Sequence, residues 1–357
     1  MNIEKSTQAY AAWLGEHTTL AQADLDFKHQ QMTVGAFPFL RSTFYRWAQV
    51  LPDVCPGLMD APTLLAVGDL HVENFGTWRD AEGRLVWGVN DFDEAHEMPY
   101  AVDLVRLTVS AALADGLQSP AEAACDAVLQ GYTAGLKAGG LPFVLAESHV
   151  WLRDAVGRYL GDPVQFWKKM DALPAVDDVP ASAREGIEHG LPRPLPPYRI
   201  AHRRAGLGSL GHLRLVGVAD WAGGKVAREA KALVPSAWLW ARKSQGHPEI
   251  LYQAIVTRAV RCRDPFMELR GQWVLRRLAP DCTRVPLADV GDAEDEQRLL
   301  RAMGAETANI HLGSPRAVAA VQKDLASRHE GWLHAATTAM IESTQEDFKA
   351  WKKIGDK

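Results

Sequence analysis

The chain has 357 residues, 47% of them hydrophobic and 23% charged, with a formal net charge of −5. That balance excludes a disordered chain, a collagen-like repeat and a disulfide-dense miniprotein, and it lacks the basic excess of a nucleic-acid-binding domain. The length allows two lobes or domains.

Residues 1–60 read as helical, with amphipathic spacing through Tyr10, Trp13 and Leu14 and again over 44–50, and the apolar Phe37-Pro38-Phe39-Leu40 lies between. The apolar run TLLAVG (63–68) predicts a buried strand, and RLVWGVN (84–90) a second, joined through RDAEG, which has the composition of a turn. If these two strands pair as a hairpin, their polar ends converge. Helical patterning follows over 102–160. The segment 173–197 carries Pro192, Pro194, Pro196 and Pro197, residues foreign to helix interiors and central strands, and is the linker expected from sequence. Beyond it, strands are expected near 212–219 and 225–232 around a DWAGG turn, then a helix over 250–262, the strand WVLRRL (273–278), and helices to the end.

The cysteines, Cys55, Cys125, Cys262 and Cys282, are far apart and form no CxxC pair, which reads as reduced, mostly buried thiols and not as a zinc site or a disulfide framework. The start MNIEKSTQAYAAWLGEH does not have the cationic and then apolar profile of a signal peptide. The apolar stretch 101–114 contains Asp103 and Arg106 and is too short to span a bilayer. A cytoplasmic protein with no membrane or nucleic-acid partner is therefore expected. Twelve tryptophans are scattered from Trp13 to Trp351 without a repeat.

Residues 67–107 carry the chemistry. Asp69, His71 and Asn74 follow the first strand; Asp91 and Asp93 follow the second. Asp and Asn oxygens are what Mg²⁺ takes, together with phosphate oxygens and water, and a further carboxylate can orient a hydroxyl nucleophile. Singly, each of these residues is also an ordinary turn residue. GDLH is similar to the Asp-x-His of dimetal phosphoesterases as well, but those sites need further histidines and only His96 is nearby.

The block G68-D69-L70-H71-V72-E73-N74-F75, V89-N90-D91-F92-D93-E94 and D103-L104 resembles the catalytic segment of aminoglycoside-phosphotransferase-type kinases. The fuller GDxHxxNFG and NDFDE pattern is similar to an uncharacterised bacterial family regarded as protein-kinase-like, which the upstream FPFLRSTF (37–44) also resembles. The resemblance implies Asp69 as the catalytic aspartate, Asn74 and Asp91 as Mg²⁺ ligands with Asp93 offered as another, His71 as a loop-structuring residue, and Asp103 as a brace of the loop.

Gly206-Leu207-Gly208-Ser209-Leu210-Gly211 is a G-x-G-x-x-G flanked by β-like sequence, a context that fits a phosphate-covering loop between antiparallel strands better than a dinucleotide fold. By resemblance the lysine of the following strand is Lys231, with Arg228 as the fallback and Glu249 as a guess for its acidic partner. Arg276 and Arg277 could face either nucleotide or solvent.

In kinases the glycine loop precedes the catalytic loop; here it follows, and circular permutation explains that order. The expected fold is thus α+β, two-lobed and protein-kinase-like. Residues 1–197 form the large lobe, 198–280 a small β-rich nucleotide-binding lobe, and 281–357 helices returning to the large lobe. The expected activity is ATP·Mg²⁺-dependent phosphoryl transfer to a hydroxyl, the acceptor being a small molecule. Nucleotidyl transfer (AMPylation) and a non-catalytic nucleotide-binding pseudokinase are the alternatives, and an α+β protein with coincidental acidic turns is the plain one.

Overall fold

The computed structural model describes residues 1–157, 160–244, 249–284, 287 and 290–355. The chain opens with helices α1 (Ile3–His17), α2 (Gln22–Gln31), α3 (Ala36–Ser42) and α4 (Phe44–Val54). Asn2 caps α1 by accepting from the Lys5 N–H. On α4 the stripe Phe44, Trp47, Ala48 and Leu51 is buried, the spacing of one helical face.

Strand β1 (Thr63–Ala66) leads into Gly68, and β2 (Phe75–Arg79), β3 (Leu85–Val89) and β4 (His96–Pro99) follow. The expected hairpin between the first two apolar runs does not form. β1 pairs instead with β4, whereas β3 pairs with β2 across the tight 80–84 turn. The reason is local: Phe75–Arg79, hidden in the tail of the motif block, is itself a strand, and the short turn gives it the first claim on β3. The polar ends still converge, because Asn90 N–H donates to the Asn74 carbonyl at the mouth of that β2–β3 pair.

Helices α5 (Ala101–Leu113) and α6 (Ala121–Ala138) come next, then β5 (Phe143–Val144), α7 (Leu145–Ser148), α8 (Val150–Gly157), α9 (Pro163–Asp171) and α10 (Ala181–Gly190). The expected linker therefore contains a helix: Pro180 stands just before α10, and Pro192, Pro194, Pro196 and Pro197 occupy the stretch between α10 and the next strand. The end of the helical pattern over 151–160 includes 158 and 159, which lie outside the described residues.

A five-stranded antiparallel sheet is built from β6 (Tyr198–His202), β7 (Arg214–Trp221), β8 (Gly224–Ala232), β9 (Glu268–Arg270) and β10 (Trp273–Leu278), in the order β6-β7-β8-β10-β9. β7 and β8 are joined by a two-residue turn in which Ala222 (φ 48°) and Gly223 (φ 81°) are both left-handed, the hairpin geometry that matches strand twist. Between β8 and β9 lie α11 (Ala237–Ala241) and α12 (Tyr252–Arg258), the latter shorter than the expected helix over 250–262. Each face of the sheet has its own cover. Ala183, Ile187 and Leu191, on and just after α10, pack on Leu215, Ala230, Trp273 and Leu275. On the other face, Met170 of α9 packs with Val216, Val218, Ala227 and Leu278. By strand alternation Arg214, Glu229, Lys231 and Arg276 lie on this second face, beyond the reach of α9.

Helices α13 (Ala293–His311), α14 (Pro315–Ser327) and α15 (Trp332–Gly355) complete the main core with α5 and α6. Asp292 caps α13 by accepting from the Glu294 and Asp295 N–H groups. The molecule is thus a mixed α+β structure, with small sheets beside a large helical part. Among the described residues no helix is long and apolar enough to cross a membrane.

One buried acid joins α13 to the sheet beside the acidic loop ends. Glu306 Oε1 accepts from Val89 N at 3.2 Å and Oε2 from Asn309 Nδ2 at 2.9 Å. Burial raises its carboxyl to about 7, against the opposing pull of Arg261 and these hydrogen bonds. An acid whose folded pKa lies above its unfolded value of about 4.5 stabilises the fold below that value, and this stability is lost as pH rises toward 7. Denaturant titrations of wild type should therefore lose on the order of 1–3 kcal/mol between pH 4.5 and 7 through this group. Glu306→Gln should be less stable at acid pH, having lost an acceptor for Asn309, yet show a flatter profile; an unchanged slope would contradict the assignment.

Candidate active site

The loop after β1 is held from below. Gly68 adopts φ 84°, and the Asp103 carboxylate accepts from Val67 N and Gly68 N, both at 2.8 Å. His311 Nε2 reaches the same carboxylate at 3.0 Å, while Tyr132 Oη lies 2.7 Å from its Nδ1. A carboxylate oxygen accepts in this contact, so Nε2 is the donor to Asp103. This chain of buried groups fixes the loop backbone from which Asp69 projects.

Asp69 meets Arg106, a fully buried guanidinium of α5. Arg106 Nε and Nη2 donate to Asp69 Oδ1 at 3.0 and 2.6 Å, and Nη2 also donates to the Leu40 carbonyl at 2.7 Å. The guanidinium carbon stands 5.4 Å from the Phe44 ring and 5.2 Å from that of Trp47. Burial raises the Asp69 carboxyl above its ordinary value even though Arg106 and Arg41 pull it down. A carboxylate so placed is both aimed and more willing to take a proton.

His71 is buried and accepts from Glu73 N through Nδ1 at 3.2 Å, with Phe37 edge-on to its ring. Burial, reinforced by Arg41 and Arg106, holds its pKa well below the ordinary histidine range, so it stays neutral. Asn74 donates from Nδ2 to the Asp69 carbonyl at 2.6 Å, closing the loop on itself.

The second acidic cluster follows β3. Lys231 of β8, 1% exposed, sets Nζ 3.1 Å from Asp91 Oδ1 and 2.5 Å from Asp93 Oδ1. Burial opposes ionisation of both acids. Lys231, the hydrogen bond with Asp93, and the nearby Arg276 and Arg214 take Asp91 below the ordinary range, while burial and the Asp91 charge raise Asp93. The two acids are thus pushed in opposite directions by a shared set of neighbours. Glu249, the guessed partner of the lysine, is exposed ahead of α12. Arg228 points to the opposite face of the sheet, donating from Nε to the Gly190 carbonyl at 2.6 Å and lying over Phe266. The alternation of a strand separates the two candidates: Lys231 and Arg228 are three apart.

The glycine-rich segment is the turn between paired strands β6 and β7. Gly206 (φ 75°) and Gly211 (φ 102°) are left-handed, and a Cβ on Gly208 would lie 3.2 Å from Asp69 Oδ2 and 3.3 Å from the Arg41 carbonyl. A side chain here would crowd Asp69 and the Arg41 carbonyl, and glycine leaves the backbone free to lie this close. Ser209 Oγ accepts from Arg214 Nη2 at 2.8 Å.

Asp69, His71, Asn74, Asp91 and Asp93 line one cavity of about 390 Å³ with Gly206, Gly208 and Ser209. Arg276 and Arg277 line it too. Above it the fully buried Glu229 binds Arg203, Arg214 and Arg276 at 2.5, 3.0 and 2.6 Å. The floor joins the segment after β10, since Thr77 N donates to the Thr283 carbonyl at 2.9 Å. Trp238 and Trp240 belong to the core side of α11 and do not line the cavity; Trp240 stands edge-on to Tyr10 at 5.3 Å.

Several groups here escape sequence reasoning. Arg106 reads as a blemish in an apolar helix, and Lys28 as a solvated charge on a polar one, yet both are buried at the site. Arg41 and Arg284 both bind Glu73 Oε2, at 2.6 and 2.7 Å. Glu94 accepts from Ser236 Oγ and Ala237 N, at 2.9 and 2.6 Å, tying the acidic loop to α11.

Residues 21–139 match the model of a family described as an uncharacterized protein conserved in bacteria (DUF2252). The matched stretch holds α2 to α6 and with them Asp69, His71, Asn74, Asp91 and Asp93; the glycine-rich turn and Lys231 lie outside it. No curated protein and no solved structure matches the chain.

The donor set at the acidic loops is oxygen only, as a hard cation requires. Among the described residues no three His, Cys, Asp or Glu side chains are grouped to hold a metal by themselves. A Mg²⁺ ion that keeps phosphate and water ligands needs only one or two carboxylates, and Asp91, Asp93 and Asn74 fit that role.

Proposed function

We propose that this cleft binds ATP with Mg²⁺ and transfers a phosphoryl group to the hydroxyl of a small molecule, in a kinase-like fold whose chain is circularly permuted. The observation that carries the reading is the ion pair of Lys231 with Asp91, 3.1 Å across 140 positions of sequence, in a cavity roofed by the glycine-rich turn. Protein kinases likewise cover the phosphates with a glycine-rich turn, place a lysine on the third strand, and hold Mg²⁺ by an aspartate and an asparagine. Here the turn joins β6 to β7 and the lysine is on β8, the next strand.

In this reading Asp69, oriented by Arg106, accepts the proton of the acceptor hydroxyl. The hydroxyl oxygen bonds to the γ-phosphorus, the bond to the β–γ bridging oxygen breaks, and ADP leaves. Mg²⁺, when bound by Asp91, Asp93 and Asn74, supplies neutralisation of phosphate charge. Lys231 and the backbone of the turn hold the phosphate chain, and Asp103 with His311 keeps Asp69 in place.

One observation favours nucleotidyl transfer as a second reading. The cavity roof is charged: Arg203, Arg214 and Arg276 surround a single Glu229, a lining that suits polyphosphate better than a base. A nucleotide turned end for end would present its α-phosphorus to the hydroxyl, and pyrophosphate would leave.

The two readings separate by product. Incubated with Mg²⁺ and a panel of hydroxyl-bearing metabolites, γ-labelled ATP should label the acceptor and release ADP. Label passing only from α-labelled ATP, with pyrophosphate released, would establish nucleotidyl transfer instead. In either case Asp69→Asn should slow the reaction by about 10²–10⁴-fold, the usual worth of a positioned base.

A further inference from the structure

We infer that Lys28, carried by α2 from the N-terminal part of the chain, is a phosphate-binding residue that reaches the cleft behind the glycine-rich turn. The inference rests on the nucleotide reading above and goes beyond the loop-and-lysine set.

Lys28 is buried and lines the cavity, and its Nζ donates to the Gly208 carbonyl at 2.7 Å. Gly208 is the residue whose backbone lies against Asp69. Among the described residues no carboxylate stands within ion-pair distance of this ammonium, and Asp24 on the same helix is taken by Arg204 at 2.8 Å. An ammonium has three protons to donate, and one backbone oxygen accounts for one of them. A buried cation without an anion is costly, and burial here lowers the lysine to about 8 although Glu94 and Asp69 work against that. The geometry provides an anion with a place: beside Gly208 and facing Asp69, where the terminal phosphate of a nucleotide would lie.

The surrounding contacts hold α2 against the turn. Ala21 N donates to the Gly211 carbonyl at 2.9 Å, Leu20 pairs with His212 as an isolated bridge, and the Arg204 guanidinium sits 4.9 Å over the Phe27 ring. The turn is therefore gripped at Gly208 and Gly211 by one helix and its leading residues, and the ammonium cannot withdraw to solvent without breaking that grip.

Calorimetric titration with Mg²⁺ and each of ATP, ADP and inorganic tripolyphosphate tests this, using wild type, Lys28→Gln and Lys28→Arg. Lys28→Gln keeps a donor for the Gly208 carbonyl and removes only the charge. It should weaken ATP and tripolyphosphate by about tenfold, as the loss of a charge-assisted hydrogen bond does, and ADP by less than about twofold. Lys28→Arg should recover part of the ATP affinity. Equal losses for ATP and ADP, or none, would overturn the assignment, as would a lowered unfolding midpoint with ATP affinity intact, which leaves Lys28 as a fastener of the turn. Should Lys28→Gln not fold, Lys28→Arg decides: a loss confined to ATP and tripolyphosphate, with ADP affinity as in wild type, supports a phosphate contact at this point, and equal losses of ATP and ADP, or no loss of either, overturn it. Wild type that binds tripolyphosphate but not ATP would defeat the nucleotide reading while leaving Lys28 in place; binding neither would defeat both.

Discussion

Replacing Arg106 by alanine should destabilise the fold by about 3–5 kcal/mol and abolish transfer together, because it strands a buried carboxylate at the reacting centre. The guanidinium is fully buried, pinned by the Leu40 carbonyl and flanked by Phe44 and Trp47, so no other residue can take its place against Asp69. Once it is gone, Arg41 is left to oppose burial and the Asp91 charge, so the Asp69 carboxyl rises further and is protonated over more of the working pH range. A protonated Asp69 no longer accepts the hydroxyl proton. Arg106→Lys should restore little, since an ammonium cannot reproduce the fork that binds Asp69 and the Leu40 carbonyl at once. The double variant Asp69→Asn with Arg106→Met should be more stable than Arg106→Ala alone, because it removes both charges. Urea denaturation of the set gives the coupling directly; a double variant no more stable than the single would show that Asp69 and Arg106 do not act as a pair.

The second large effect belongs to Lys231. Lys231→Met should lower ATP affinity by at least about tenfold, the scale of one charge-assisted contact, and drive the Asp91–Asp93 pair to a more protonated state. Arg228→Met is the control, because its side chain lies on the far face of the sheet over Phe266 and should leave affinity within about twofold. The reverse ranking, with Arg228 the sensitive position, would place the nucleotide on the wrong side of the sheet for this account.

Sequence made the acidic loops legible because motif residues and apolar strands there are contiguous: Asp69, Asn74 and Asp91 could be singled out without knowing how the strands pair. The pairing itself differs from the hairpin that the two apolar runs suggest. Phe75–Arg79 alternates poorly, with Gly76 and Thr77 buried beside Trp78, so it shows no period-two signal of its own. The β7–β8 hairpin and the strand Trp273–Leu278 were legible for the opposite reason, having a tight turn and an apolar run at strand length. What sequence could not show was contact at long range. Arg106 and Lys28 are charges in unremarkable helices, and only folding makes one the support of Asp69 and the other a neighbour of Gly208. The same holds for the segment 173–197, whose prolines announce a break but conceal α10, a helix held by its packing on Leu275 and Ala230 rather than by any strong local signal.

The central claim is that the cavity between the glycine-rich turn and the acidic loops is an ATP·Mg²⁺ site. Calorimetric titration of ATP into wild type and Asp91→Asn, with and without Mg²⁺, tests it most directly. The account expects one saturable site that strengthens with Mg²⁺, raises the unfolding temperature as occupancy rises, and loses its Mg²⁺ dependence in Asp91→Asn. No binding at millimolar ATP, or binding with the same Mg²⁺ dependence in Asp91→Asn, would contradict it.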